Sequence, residues 1–254
     1  MDNNTNVTLS KTITLPSLGK FRNIPANITI RAMSLLDEKR RLASNGVEAI
    51  VQLISRCVTS PENFDAGDLC QFDLDYAMIE LRALSHGNAY PVTVTCPHCG
   101  ATIDKVLDLS QLECVNVDDS FSSEFEIGPL PNCGDTLKVK ILTYNDEKRM
   151  NEEAKKILNK FPNYDGDPRD ILDYVYKVVE VNGEKLPYVH LKPYVENLSA
   201  TDSIYFDEAY SDHLKEYGVN PIVDFECNRC NESFSRMLPI NDEFFRPKYY
   251  SEGR

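Results

Sequence analysis

The chain has 254 residues, of which 40 are acidic and 27 basic, so its formal net charge is −13. That length suffices for one or two domains and for burying roughly 70–75% of the unfolded chain's surface. With 42% hydrophobic and 26% charged residues the composition is globular, and its acidity argues against nucleic acid or an anionic membrane as the main partner, because phosphates repel a negative body.

No stretch approaches the ~18–20 apolar residues of a membrane span. Residues 1–11 are expected to be a disordered N-terminal tail, polar and without the basic and apolar regions of a signal peptide. A reducing cytosol is therefore the expected setting, where eight cysteines serve as small hydrophobes or metal ligands rather than disulfides.

A first half is expected over residues 12–120. It opens on the turn Leu15-Pro16-Ser17-Leu18-Gly19, followed by an alternating strand from Ile28 to Arg31. Ser34 then stands three residues before Asp37, a helix-start pattern leading into a charged helix. A second helix is predicted over residues 74–85, with Tyr76, Ile79 and Ala83 on one apolar stripe and Gly87 as its stop. Residues 90–95 and 102–107 alternate and are rich in β-branched side chains, the pattern of a hairpin whose turn holds Cys96-Pro97-His98-Cys99-Gly100.

The second half, residues 121–243, repeats this order. Leu130-Pro131-Asn132-Cys133-Gly134 is followed by a strand from Leu137 to Lys140 and by Thr143, three residues before Asp146. Asp165-Gly166-Asp167 reads as a turn before a helix over residues 170–178, with Pro168 near its first turn; it lacks the acidic twelfth position of a calcium loop. A helix over residues 203–217 runs to Gly218. The strands at 222–226 and 233–237 then flank Cys227-Asn228-Arg229-Cys230-Asn231. Gly87 and Gly218 precede Cys96 and Cys227 by the same nine residues. Residues 244–254 form an aromatic and basic C-terminal tail, expected either to dock on a partner subunit or to pack on its own domain.

A C-x-x-C on a tight turn lets both thiolates converge on one tetrahedral metal at ~2.3 Å. Residues 100–226 separate the two pairs, far more than the ~15–20 residues of a compact zinc module. A redox C-x-x-C usually opens a helix, and a strand follows each pair here. The expected fold is therefore α+β, two internally duplicated halves joined by a split, zinc-ribbon-like site of Cys96, Cys99, Cys227 and Cys230. Four thiolates leave no open position for a catalytic water, so the site is structural. Zn²⁺ is the expected ion, a [4Fe–4S] cluster the alternative. His98 is expected to face solvent, and Cys57, Cys70, Cys114 and Cys133 to be buried or half-buried thiols. Asp65, Asp68, Asp73, Asp75 and Glu80 read as a solvated face and helix-start charges. Phosphate-loop, dinucleotide, zincin and nucleophile-elbow motifs are missing, and the four histidines stand singly, so no enzyme is expected.

The order of these motifs resembles the T4-like bacteriophage baseplate hub subunit family, proteins of contractile phage tails. The residues that carry it are Leu15-Pro16-Ser17-Leu18-Gly19-Lys20-Phe21, then Asp73 through Gly87 running into Tyr90 and Cys96-Pro97-His98-Cys99-Gly100, then Leu107-Asp108-Leu109. The likeness covers most of residues 12–145 and the second cysteine pair; residues 150–200 match no family motif. It implies a late, non-enzymatic structural component or assembly factor, built in the infected bacterium's cytoplasm and carried in the virion's tail baseplate. The implied partners are other hub, tube or wedge subunits, with neither nucleic acid nor membrane. The rival is a zinc-ribbon binding module in transcription or translation, disfavoured because the flanks of the cysteine pairs mix Asp104, Asp224, Glu226 and Glu232 with Lys105, Arg229 and Arg236 and form no basic stripe.

Overall fold

The computed structural model describes residues 9–43, 46–214, 217–238 and 244–245. Its first elements are β1 (Ser10–Thr14), β2 (Asn27–Arg31), α1 (Leu35–Leu42), α2 (Val47–Cys57), β3 (Val58–Ser60) and α3 (Gln71–His86). The hairpin β4 (Ala89–Thr95) and β5 (Thr102–Asp108) follows, then β6 (Cys114–Val115). The chain continues with β7 (Glu124–Ile127), β8 (Leu137–Lys140), α4 (Tyr144–Lys160), α5 (Pro168–Lys177), β9 (Val178–Val181), α6 (Tyr188–Glu196) and α7 (Ala200–Leu214). It ends with β10 (Gly218–Val219), β11 (Ile222–Glu226) and β12 (Ser233–Met237). This is a mixed helix-and-sheet architecture with small antiparallel sheets.

Two three-stranded sheets, ordered β1-β2-β3 and β7-β8-β9, are built alike. Each middle strand carries a register shift against the third strand, between Thr29 and Ile30 in one and between Lys138 and Val139 in the other. A bulge sharpens local twist, and in both sheets a helix runs without a loop into the third strand, α2 into β3 and α5 into β9. After each middle strand a capping box starts the next helix. Ser34 and Asp37 cap α1, and Thr143 and Asp146 cap α4. Both capping carboxylates also hold a cation from the strand they follow. Arg31 donates to Asp37 at 2.7 Å, and Lys140 donates to Asp146 at 3.2 Å.

The long helices α3 and α7 are tied down at their first turn. The Ser17 amide, in the first Leu-Pro turn, donates to Asp73 Oδ1 at 2.9 Å; the Asn132 amide, in the second, donates to Asp202 Oδ1 at 2.8 Å. Gly87 and Gly218 follow these helices with φ of +82° and +89°. At Gly218 a side chain is also excluded by space, since a Cβ there would lie 2.6 Å from Phe72 Cβ.

Several element boundaries differ from expectation. The helix expected over residues 74–85 is Gln71–His86, and the one over 203–217 is Ala200–Leu214, with residues 215–216 outside the described ones. The earlier start of α7 follows from Ser199, whose hydroxyl accepts the Asp202 amide at 3.1 Å. The helix over 170–178 begins at Pro168 because the Asp167 carboxylate caps the Arg169 amide at 2.9 Å. Residues 150–200, which matched no motif, form the end of α4, then α5, β9 and α6. The expected 1–11 tail is too long at its inner end. Ser10 and Lys11 pair with Arg31 and Ile30, because the alternation that buries Ile13 begins there; residues 1–8 lie outside the described ones.

The larger core joins Ile28 and Ile30 of β2, Leu53 and Ile54 of α2 and Leu74 and Leu81 of α3. Phe225, Leu238, Phe244 and Phe245, from the far end of the chain, complete it. A second core gathers Leu137 and Val139 of β8, Val175 of α5, Val195 of α6 and Phe206 of α7. For Phe244 and Phe245 the docking of the C-terminal tail on another subunit is corrected. Both rings are buried in the chain's own core, Phe244 edge-on to Tyr90 at 5.1 Å and Phe245 beneath the Arg41 guanidinium at 5.9 Å. Aromatic surface of that size is worth more buried than exposed. Residues 246–254 lie outside the described ones.

Candidate metal centre

The hairpins β4-β5 and β11-β12 close on the same turn. Thr95 pairs with Thr102 in one, Glu226 with Ser233 in the other. In the first turn the Cys96 amide donates to Ala101 O at 2.9 Å and the Gly100 amide to Cys96 O at 3.0 Å; in the second, Cys227 donates to Glu232 O at 2.9 Å and Asn231 to Cys227 O at 2.8 Å. The residue after each second cysteine is left-handed, Gly100 at φ +70° and Asn231 at φ +59°. Glycine and asparagine are the two residues that accept that conformation most readily. So both cysteines of each pair project to one side of the turn.

The hairpins meet sulfur to sulfur. Cys96 Sγ lies 3.8 Å from Cys230 Sγ, and Cys99 Sγ lies 3.6 Å from Cys227 Sγ. All four sulfurs fall within 4.8 Å of one another, and among the described residues they form a group able to share an ion. These separations are far from the ~2.05 Å of a disulfide. They match the ~3.8 Å edge of a tetrahedron whose four sulfurs each sit ~2.3 Å from a central ion. The first cysteine of each pair, Cys96 and Cys227, is buried; Cys99 and Cys230 are half-buried. Val94, Ile103 and Phe234 pack around the cluster, and Phe234 stacks on Phe225 at 5.7 Å.

The electrostatics single out Cys227. Amides of Cys230 and Arg229 point at its sulfur and lower its pKa to about 6, as turn amides do for metal-bound thiolates. Against the pull of the Glu232 amide, desolvation and bonding among the crowded sulfurs push the Cys230 thiol up to about 12. The remaining cysteines behave otherwise. Cys57 is pushed up to about 11 and Cys70 well above the usual range, chiefly by burial. Cys114 is half-buried, and Cys133 is exposed, a correction to its expected burial: it sits at the tip of the Leu-Pro turn, outside both cores.

His98 is exposed, as its turn position suggested. The acidic group Asp65, Asp68, Asp73, Asp75 and Glu80 is dispersed. Asp65 and Asp68 take the Asn145 amide at 3.1 and 3.0 Å, Glu80 takes Lys11 at 2.6 Å, and Asp73 is buried beneath the Leu-Pro turn. A feature that sequence reasoning missed is the reciprocal strapping around the cluster. After the first hairpin, β6 pairs with β10 at the end of the second half's α7. After the second hairpin, Phe245 meets His86 at the end of α3 through its backbone. The strands are two residues long and carry no periodicity to detect.

Fold and cluster together define a mixed helix-and-sheet protein in which two cysteine hairpins, distant in sequence, converge on one point. A family model described as T4 bacteriophage base plate protein matches residues 7–246, nearly the whole chain. The chain belongs to that family, and so to the structural components of a phage tail baseplate. No curated protein and no solved structure matches it. The family assigns it to the virion's tail and points to other tail or baseplate proteins as partners; it lends no support to a zinc ribbon of transcription or translation. Among the described residues no helix is long and apolar enough to cross a membrane.

Proposed function

We propose that this protein is a non-enzymatic hub component or assembly factor of a contractile-tail baseplate, its two halves held together by a structural Zn²⁺ on Cys96, Cys99, Cys227 and Cys230. Membership of the baseplate family over residues 7–246 carries the first part. The convergence of the four sulfurs within 4.8 Å carries the second. A closed tetrahedron of thiolates suits zinc, offers no site for a substrate, and converts metal affinity into folding energy.

The halves are, in this reading, an internal duplication. The matched bulges, capping boxes, Leu-Pro clamps and cysteine turns support it. So does the crossed pairing of Cys96 with Cys230 and of Cys227 with Cys99, which is what a two-fold relation between hairpins produces. The protein folds in the infected bacterium's cytoplasm as a late product and enters the virion with hub, tube or wedge subunits.

Mass spectrometry of what co-purifies with the tagged chain from infected cells tests the role. Recovery of tail proteins is expected; recovery of polymerase or ribosomal proteins instead would overturn it. Elemental analysis of the same sample tests the site, with about one zinc per chain expected; iron with broad absorbance near ~400 nm would replace zinc by a cluster.

A further inference from the structure

The four clustered sulfurs come from two hairpins, and they meet across the boundary between them. Cys96 Sγ faces Cys230 Sγ at 3.8 Å, and Cys99 Sγ faces Cys227 Sγ at 3.6 Å. Each contact couples a buried sulfur, Cys96 or Cys227, with a half-buried one, Cys230 or Cys99. A disulfide needs ~2.05 Å between its sulfurs, so an approach of the two hairpins by less than about 2 Å would close both bonds. Within a turn the demand differs. Cys96 and Cys99 project to one side of a backbone held by the Cys96–Ala101 and Gly100–Cys96 hydrogen bonds, and the second turn is held likewise. Joining the cysteines of one turn would twist two side chains that point the same way toward each other.

The two linkages also act differently on the fold. Disulfides across the boundary would join positions 134 and 128 residues apart, and closures of that length restrict the unfolded chain strongly. A disulfide inside one turn ties neither hairpin to the other. Family membership places the chain in a virion, a particle whose surroundings outside the cell are oxidising, unlike the cytosol.

We infer that Cys96–Cys230 and Cys99–Cys227 are latent disulfides, a modification site that takes over from the ion as the staple between the hairpins when a peroxide oxidises the centre. The half-buried thiolate of each pair attacks a peroxide oxygen; the O–O bond breaks, a sulfenic acid forms and hydroxide leaves. The buried thiolate facing it displaces a second hydroxide from that sulfenic acid, and the S–S bond forms. Each pair thus gives up two electrons to one peroxide, and the ion passes to solvent as its ligands are spent. The inference rests on the four-sulfur metal site proposed above.

Hydrogen peroxide in small molar excess, added to the full zinc-loaded chain, tests it. Cys133→Ser removes the exposed thiol from the count. Zinc release is followed with a chromogenic chelator and free thiols with a thiol-specific dye. Linkages are read by mass spectrometry of the unreduced tryptic digest, where cleavage after Arg229 separates Cys227 from Cys230. The expected result is a loss of about four thiols for each zinc released. The peptide holding Cys96 and Cys99 then carries both other peptides, and fragmentation between its cysteines assigns Cys230 to Cys96 and Cys227 to Cys99. The oxidised chain keeps its cooperative melt in chelator and loses it when a thiol reductant is added. Disulfides within the turns, Cys96 joined to Cys227, sulfinic acids without a bond, or zinc and thiols that resist peroxide would each overturn the inference. A chain isolated without zinc would fail the metal reading instead, and the same mapping would still decide the pairing.

Discussion

The two cysteine hairpins share the backbone geometry that sets a sulfur, while the two helical bodies they join differ. Each turn carries the same pair of backbone hydrogen bonds and the same left-handed residue. By contrast α4 runs from Tyr144 to Lys160 where α1 stops at Leu42, and a full helix, α6, stands before α7 where a single 3-10 turn stands before α3. The difference follows from what each region must satisfy. A tetrahedral ion tolerates a few tenths of an ångström, whereas a helix packed on a sheet keeps its role through changes of length so long as an apolar face and a cap persist.

The comparison breaks most severely at the sulfurs. Cys227→Ser is expected to lose the metal and, with it, a contribution on the order of 10 kcal/mol, comparable to the whole stability of a domain. Loss of zinc together with loss of the cooperative melt is the expected outcome; an unchanged melt without zinc would show that the hairpins hold without the ion. Cys133→Ser, at an exposed thiol, is the control and leaves both unchanged. Next comes the strap. Phe244 has no exposed surface, and Phe244→Ala is expected to cost about 3–5 kcal/mol, read as a shifted denaturation midpoint with zinc still bound. A shift within the error of the wild type would mean that the ring does not occupy the first half's core.

That strap also marks the limit of what the residues alone could say. The hairpins were legible because alternation, C-x-x-C spacing and a following Gly or Asn all point to one turn. The capping boxes at Ser34 and Thr143 were legible for the same reason, a local pattern with a local cause. Phe244 and Phe245 were not, since an aromatic and basic segment reads alike whether it covers its own core or a neighbour's. The sequence also could not show that α5 and β9 follow the plan of α2 and β3. Their likeness lies in a helix running directly into a strand at Val178 as at Val58, not in shared residues. Asn145 at the start of α4, which ties the halves together, has a partner remote in sequence and no motif to announce it.

A smaller effect separates the capping carboxylates. Burial raises the pKa of Asp37, but Arg31 and the Ser34 hydroxyl prevail and hold it at about 2. A depressed pKa means stability that is present above the unfolded value of ~3.9 and is lost as pH falls toward 2. Because Arg31 is partly exposed, Asp37→Asn is expected to cost about 1–2 kcal/mol at neutral pH. That difference should vanish in acid. Asp146, lowered against its own burial by Lys140, the Thr143 amide and Arg22, should respond with the same sign. Denaturant titrations of the zinc-loaded protein at pH 7 in low and high salt check both, and a loss that high salt leaves intact would assign it to packing instead of charge.

The finest division lies at the two Leu-Pro clamps, where equivalent carboxylates are pushed in opposite directions. Burial raises Asp73, with the Ser17 contacts only partly offsetting it, and its Oδ2 has no hydrogen-bond partner. The Asn132 amide, helped by the Ser199 hydroxyl, lowers Asp202. A raised carboxyl is a charge that the fold disfavours: the penalty is complete above the folded pKa and is relieved as pH falls through it. A lowered one contributes stability above the unfolded pKa that acid removes. At pH 7, Asp73→Asn is therefore expected to leave stability unchanged or raise it by up to ~1 kcal/mol, while Asp202→Asn lowers it. The two midpoints should move toward wild type as pH falls within the range in which zinc stays bound. Equal losses at pH 7 would mean that both clamps depend on the negative charge, and that replacing the hydroxyl of Ser199 by the thiol of Cys70 at the cap leaves the clamp unaltered.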